Sequence, residues 1–323
     1  MKEYKSVFAK EINEFIAFKE TLGYKTEQII YNLFLFDRFT IENGITDIRF
    51  TKADAEKWQV ARLNESAATK YMRCMHFIQF AKYLNTLGYN SYIPPYPPAP
   101  TNTYMPYIFT HDELNKIFAA CDGIALTNGL RNSANAVPAM FRLMYGTGIR
   151  VSEAVSLKKQ DIDIEGRILV IRKSKNGKER ILPFSQSVAE ACRKYRDSAN
   201  GFYGRTEYFF AQMNGEPCTR HTMYLWFRRV LWDAGLEHGG KGSVPRLHDL
   251  RHTFSVHALA KMADEGLDLY YSLPILSKYL GHESLDSTDK YVRLTEAMYP
   301  RLLEQANNIS AYVFPEVGYD KNN

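Results

Sequence analysis

The first ninety residues carry apolar side chains at the three- and four-residue spacing of amphipathic helices. Four stripes of this kind predict helices over residues 8–22, 27–43, 52–64 and 67–87. Thr51 and Ser66 stand just before the third and fourth stripes, where a hydroxyl can cap a helix by accepting a backbone N–H. The sequence therefore predicts a small helical bundle at the N-terminal end of the chain.

A proline-rich stretch, Tyr-Ile-Pro-Pro-Tyr-Pro-Pro-Ala-Pro over residues 92–100, interrupts the helical pattern. Closely spaced prolines continue neither a helix nor a strand ladder, so this stretch is expected to be an extended, semi-rigid linker. We place the linker at residues 94–105, between an N-terminal domain of residues 1–93 and a larger domain of residues 106–310. Residues 311–323 then form a C-terminal tail.

The sequence of the larger domain predicts helices and one β-hairpin. Apolar runs at residues 168–171 and 181–184 flank Asn176-Gly177, and Asn-Gly between apolar runs is typical of a tight β-hairpin. Thr110 and Thr219 are positioned to cap helices that follow them. The predicted fold class is therefore mainly α, with a small antiparallel β-sheet.

Composition narrows the functional classes without choosing among them. With 45% hydrophobic and 24% charged residues in 323, the chain is expected to be globular, with about two domains. No apolar run is long enough to span a bilayer, and the four cysteines stand far apart, as reduced thiols of a cytosolic protein do. A net charge of +5 permits nucleic-acid binding but does not require it.

The stretch from His248 to Tyr291 offers phosphate chemistry. His248 and Arg251 are three residues apart, so on a helix they face one target together. An imidazole can transfer a proton, and a guanidinium can donate hydrogen bonds to two oxygens at once. Together they could bind and act on a phosphate diester. Gly281 is expected to end a helix, which puts Tyr291 on a separate element as a candidate nucleophile.

Two features upstream extend this set. Glycines at 146 and 148 predict a tight turn that presents Arg150, with Glu153 three residues on; the plainer interpretation is a surface ion pair that contributes little. The predicted hairpin tip is lined by Lys173, Lys175 and Lys178, which are either solvated or directed at a phosphate or a minor groove.

In this order and spacing, the residues resemble the tyrosine recombinase (phage integrase) family. The resemblance covers residues 106–300 and rests on Thr-Gly-Ile-Arg-Val-Ser-Glu at 147–153, His-Asp-Leu-Arg-His-Thr-Phe at 248–254, Leu-Gly-His at 280–282, and the tyrosine nine residues later. It implies a helical core-binding domain over residues 1–93 and a mixed α/β catalytic domain. The implied catalytic residues are Arg150, Lys175, His248, Arg251, His282 and Tyr291. The family's hairpin commonly reads Gly-Lys-Gly-x-Lys, and because this chain departs from that pattern, Lys173 is the alternative to Lys175.

The resemblance also implies an activity, the cutting and rejoining of DNA strands through a covalent 3′-phosphotyrosine. Attack by tyrosine conserves the energy of the broken bond, so neither a cofactor nor a metal is expected. The expected partners are double-stranded recombination sites and a homo-tetramer on DNA, with a related recombinase as an alternative partner subunit, in the cytoplasm at the nucleoid. Integration, excision, resolution and inversion all stay open. The rival functions are a type IB topoisomerase-like relaxing enzyme and a non-catalytic DNA-binding regulator.

Overall fold

A computed structural model describes residues 3–101, 105–124, 130–172, 179–199, 204–236, 245–282, 291 and 294–295. The chain divides into two compact units, Met1–Tyr104 and Met105–Asn323. The predicted fold class is confirmed, since the described elements are helices plus one small antiparallel sheet.

The described residues of the first unit form four helices, as predicted. They are α1 Ala9–Thr21, α2 Glu27–Glu42, α3 Lys52–Gln59 and α4 Ala67–Thr86. Both predicted caps are confirmed: the Thr51 hydroxyl accepts the Asp54 N–H at 3.3 Å, and the Ser66 hydroxyl accepts the Thr69 N–H at 3.1 Å. These local signals fixed where α3 and α4 begin.

Aromatic side chains fill the core of this unit. The ring of Phe36 lies 5.1 Å from that of Phe77 and 5.3 Å from that of Trp58, centroid to centroid. Phe8 and Phe80 close the same cluster, and all of these rings are buried. Tilted and edge-on pairs at such distances add to the stabilisation that burial alone provides.

Arg73 ends α3 earlier than the sequence indicates. Its guanidinium donates to the carbonyls of Trp58 and Val60 and pairs with Glu65, with Nε 2.7 Å from Oε1. The last carbonyls of α3 thereby gain a partner, and the helix stops at Gln59 instead of continuing towards residue 64. Only 1% of Arg73 is exposed, so its guanidinium lies inside the bundle together with Glu65.

The proline-rich stretch begins by packing onto the first unit. The backbone N–H of Tyr92 donates to the Phe50 carbonyl at 2.9 Å, and the Lys82 ammonium donates to the Tyr96 hydroxyl at 2.6 Å. Its first residues therefore extend the surface of the bundle.

The second unit contains seven α-helices, two short 3₁₀-helices and three strands among its described residues. The α-helices are α5 His111–Asp122, α6 Val137–Thr147, α7 Val151–Val155, α8 Gln186–Ser198, α9 Arg220–Asp233, α10 Asp249–Asp264 and α11 Leu269–Leu280. The 3₁₀-helices are Leu130–Ala136 and Lys159–Asp161. The predicted caps at Thr110 and Thr219 are confirmed, since each hydroxyl accepts the N–H three residues on.

The sheet is antiparallel, in the order β1 Ile162–Asp163, β2 Ile168–Ile171 and β3 Arg180–Pro183. β2 and β3 pair as the apolar runs predict, with Leu169 opposite Leu182. The sequence did not indicate β1, which has two residues and too short a pattern to read. The lysine-bearing tip at residues 173–178 lies outside the described residues.

The buried faces of these elements form one main apolar core, with a smaller cluster beside it. The smaller cluster joins α10 and α11 and includes Leu276, Leu280 and the ring of Tyr291. All four cysteines are buried as free thiols. Within the described part of the chain, no helix combines the length and apolar character needed to cross a membrane.

Candidate active site

The C-terminus of α11 gathers three arginines. Arg180 Nε donates to the Tyr279 carbonyl at 3.0 Å, and Arg251 Nη2 donates to the Leu280 carbonyl at 2.8 Å. Arg150 Nη2 reaches the next carbonyl, that of Gly281, at 3.5 Å. The last carbonyls of a helix lack partners within it and form its negative end, so they favour cations. Arginines from three separate elements are thereby held side by side.

Arg251 is the most enclosed of the three. It projects from the first turn of α10 and is 1% exposed. Besides the Leu280 carbonyl, it donates to the Gly148 carbonyl at 2.6 Å and contacts His282 Nε2 at 3.0 Å. Burial, and then repulsion from Arg150, lower its pKa to about 10. The guanidinium therefore remains charged near neutral pH.

The turn before Arg150 explains the glycine at position 148, while Gly146 lies within α6. Gly148 ends α6 with φ +62°, a left-handed conformation that side chains rarely adopt. A Cβ there would lie 2.4 Å from a ring carbon of Phe254 on α10, so close packing also excludes a side chain. This turn directs the Gly148 carbonyl at Arg251 and places Arg150 at the N-cap position of α7.

Glu153 binds two of the arginines from the opposite side. The Glu153 carboxylate accepts two hydrogen bonds from Arg150, one from the backbone N–H at 2.9 Å and one from Nη1 at 3.1 Å. Arg180 adds a two-pronged contact, with Nη1 3.0 Å from Oε1 and Nη2 2.8 Å from Oε2. Burial raises the pKa of Glu153, but the hydrogen bonds and charge of Arg180 outweigh it and leave the pKa lowered. The interpretation of this pair as an exposed one that contributes little is wrong, because the Glu153 side chain is 2% exposed.

His282 follows the end of α11 directly. Gly281 has φ +69° and ends the helix, as predicted, and the His282 N–H donates to the Ser277 carbonyl at 3.0 Å. The Arg251 guanidinium is a donor only, so His282 Nε2 acts as the acceptor in their contact. The ring of His282 is nearly parallel to that of Tyr291, with centroids 6.2 Å apart.

Tyr291 is 1% exposed, and its hydroxyl contacts a second histidine, His252 of α10. The Tyr291 oxygen lies 2.8 Å from Nδ1 of His252. Burial raises the pKa of Tyr291, and the positive charge of Arg251 offsets part of that rise. The hydroxyl is therefore held in protonated form in the free chain.

His248 occupies a different position from the other candidates. It is the N-cap residue of α10 and is exposed, and its ring lies edge-on to that of His252 with centroids 4.8 Å apart. The structure thus gathers Arg150, Arg251, His282 and Tyr291, and places His248 at the rim. Lys175 and its alternative Lys173 fall outside the described residues, between the paired ends of β2 and β3.

Sequence reasoning missed two residues of this cluster, Arg180 and His252. His252 lies within the motif at residues 248–254, four residues after His248, so helical spacing alone could have placed the two on one face. Arg180 gave no such signal, because its contacts are 27 and 99 residues away in sequence. In the described residues, no three histidine, cysteine or acidic side chains converge as metal ligands would.

The chain was compared with known protein families, sequences and structures. A family model described as the phage integrase family matches residues 108–298. The putative integrase/recombinase y4rB of Sinorhizobium fredii is 28% identical over 314 residues, covering 93% of this chain and 96% of that protein. Tyrosine recombinase XerC of Staphylococcus saprophyticus is 32% identical over 193 residues, which make up 59% of this chain and 58% of that protein.

Among solved structures, a lambda integrase tetramer bound to a Holliday junction superposes with a TM-score of 0.62 at 17% identity. The superposition covers 90% of this chain and 77% of that one, and it shows a shared fold. The family model alone spans more than half of the chain and includes every residue of the cluster at the end of α11. The chain belongs to the phage integrase family of tyrosine recombinases.

Proposed function

We propose that the chain is a site-specific DNA recombinase that cuts and rejoins strands through a covalent 3′-phosphotyrosine on Tyr291. One observation carries the proposal. Arg150 and Arg251 are held on adjacent carbonyls, His282 contacts Arg251, and the Tyr291 ring lies 6.2 Å from that of His282, centroid to centroid. Two forked cations, an imidazole and a phenol within one cluster are the groups that a phosphodiester transfer needs.

In the proposed reaction the Tyr291 oxygen attacks the scissile phosphorus, and the bond to the 5′-oxygen breaks. Arg150 and Arg251 bind the nonbridging oxygens, where negative charge builds in the transition state, and His282 donates a further hydrogen bond. Loss of one such preorganised donor is expected to slow cleavage by about 10²–10³-fold. The departing 5′-oxygen is a strong base and needs a proton, which we assign to Lys175.

His248 is proposed as the relay that passes protons between the site and solvent. It is exposed at the start of α10 while its neighbours in the cluster are covered, and imidazole exchanges protons near neutral pH. Since Arg251 and Tyr291 are each 1% exposed in the DNA-free chain, a phosphate reaches them only after side chains move.

The partners follow from the same proposal. Strand exchange joins two duplexes at four cleavage sites, so we propose that four copies assemble on paired recombination sites, as lambda integrase does on its junction. The helical bundle of the first unit is proposed to act as the core-binding domain and to bind DNA. The protein would act on the nucleoid, in the cytoplasm.

The test uses wild type and Tyr291→Phe. The phenylalanine variant is expected to capture its site from genomic DNA of the source organism but to form no adduct on a nicked suicide duplex carrying that site. Wild type is expected to form the adduct, in EDTA as well. An adduct with Tyr291→Phe would refute the assigned nucleophile. Relaxation of a two-site plasmid without exchanged products would favour a type IB topoisomerase-like enzyme.

A further inference from the structure

His252 is a buried histidine with direct access to the reacting atom. It follows Arg251 on α10 and is 5% exposed. Its Nδ1 lies 2.8 Å from the Tyr291 oxygen, and the two rings are tilted by 49° with centroids 5.6 Å apart. That separation is within the range for direct proton transfer.

The nucleophile needs a group of this kind. Burial raises the pKa of Tyr291, so attack by the phenol requires that its proton leave as the bond to phosphorus forms. Ser255 also contacts Tyr291, but its hydroxyl donates to the Arg251 carbonyl at 2.9 Å and is a very weak base. A neutral imidazole is the better acceptor, since its ordinary pKa lies near neutral pH.

The residue next to His252 couples proton transfer to DNA binding. Arg251 is buried, and a phosphate bound to it would bring negative charge close to His252. Negative charge near an imidazole favours its protonated form, so the bound phosphate would help His252 to take the Tyr291 proton.

We propose that His252 is the catalytic residue that accepts the Tyr291 proton, a role that rests on the proposed phosphotyrosine function. As the Tyr291 oxygen bonds to phosphorus, its proton moves to His252 Nδ1. The bond from phosphorus to the 5′-oxygen breaks, and that oxygen takes a proton from a separate donor. In the rejoining step His252 returns its proton to the tyrosine. The exposed ring of His248 lies edge-on to that of His252, with centroids 4.8 Å apart.

The chain offers a matched control on the same helix. His257 Nδ1 lies 2.9 Å from the Tyr145 hydroxyl, so it repeats the histidine–tyrosine pair away from the nucleophile. His252→Asn keeps a hydrogen-bonding group near the position of Nδ1 but cannot take a proton. His257→Asn makes the same change in the control pair.

The experiment measures adduct formation by single-turnover kinetics on two nicked duplexes that carry the site captured by Tyr291→Phe. One has an ordinary scissile phosphate, and the other has sulfur as the 5′-bridging atom, a leaving group that needs no proton. We expect His252→Asn to slow cleavage of both by about 10²-fold or more. We expect His257→Asn to match wild type on both, and Lys175→Ala to be slow only on the ordinary duplex.

Cleavage by His252→Asn at the wild-type rate, or rescue of this variant by the sulfur substrate, would overturn the inference. Should the variant fail to fold, ¹⁵N spectra of the histidines in wild type decide the question. The neutral tautomer with its proton on Nε2 supports the role, whereas a proton on Nδ1 of His252 would refute it. Absence of any adduct with wild type would instead count against the proposed function itself.

Discussion

Glu153 is the carboxylate on which two arginines of the cluster depend, so its charge is the most informative one to remove. Glu153→Gln keeps the shape of the side chain but turns one oxygen into an NH₂ group. That group would face Arg180 or Arg150, both of which are donors only. The variant therefore replaces attraction with a donor–donor clash inside a buried cluster.

The magnitude follows from burial. The side chains of Glu153, Arg180 and Arg150 are 2%, 10% and 18% exposed. Removal of one partner from a buried pair leaves the other charge uncompensated, which costs about 3–5 kcal/mol. We expect a loss of this size in the free energy of unfolding of the second unit. Cleavage should also slow, because Arg150 loses one of its anchors.

The pH dependence has a defined sign. The pKa of Glu153 is lowered in the folded chain, so its stabilising contribution is present above the ordinary value of 4.5. That contribution disappears as the pH falls below 4.5 and through the folded pKa. The difference between wild type and Glu153→Gln should therefore be full at pH 7 and should shrink on acidification.

Calorimetry with separately fitted transitions for the two units measures these effects. Glu165→Gln is the control, because Glu165 also binds an arginine with both oxygens, Arg193 at 3.3 and 2.8 Å, but is 68% exposed. Solvent screens such an exposed pair. The melting temperature of the Glu165→Gln variant should therefore stay close to that of wild type. Equal shifts for the two variants at pH 7 would refute the view that the buried charge holds the arginines.

Three further changes test other parts of the fold. Gly148→Ala should lower the melting temperature more than Gly88→Ala, since both have positive φ but only Gly148 would also meet Phe254; equal losses would argue against the clash. Burial and then the charge of His111 lower the pKa of His257 to about 4. The unfolded chain therefore takes up this proton first, and wild type should lose stability as the pH falls from 6.5 to 4. Melting curves of His257→Gln over the same pH range should lack this loss. Arg73→Ala should destabilise the first unit by about 3–5 kcal/mol in urea titrations, and a change below about 1 kcal/mol would show that Glu65 relaxes into solvent.

The features that the sequence predicted correctly are local. The caps at Thr51 and Thr219 need only a hydroxyl and the next turn of helix, and the pairing of β2 with β3 needs two apolar runs at a suitable distance. The contacts of Arg73 and Arg180 could not be predicted, because their partners come from other segments of the chain. A charged residue in a sequence looks exposed until the fold supplies its partner.

Helix spacing predicted that His248 and Arg251 share a target. It gave no information on how deeply each side chain is buried. His248 is exposed at the rim, while Arg251, three residues later, is enclosed by the turn at Gly148 and the end of α11. The histidine in contact with Tyr291 is instead His252, one residue further into the helix. Depth depends on what packs over a helix, and that information lies in other segments of the chain.

The acceptors around Arg251 also bear on the chemistry of the site. Its three described hydrogen bonds go to two carbonyls and an imidazole, all of them neutral. A carboxylate at that position would hold the guanidinium equally well but would cancel the charge that a phosphate diester must meet. Carbonyl dipoles at the end of α11 orient the arginine and offset part of its desolvation while leaving its full charge in place. Arg150 and Arg180 share one carboxylate between them, so the three arginines retain excess positive charge for an anionic ligand.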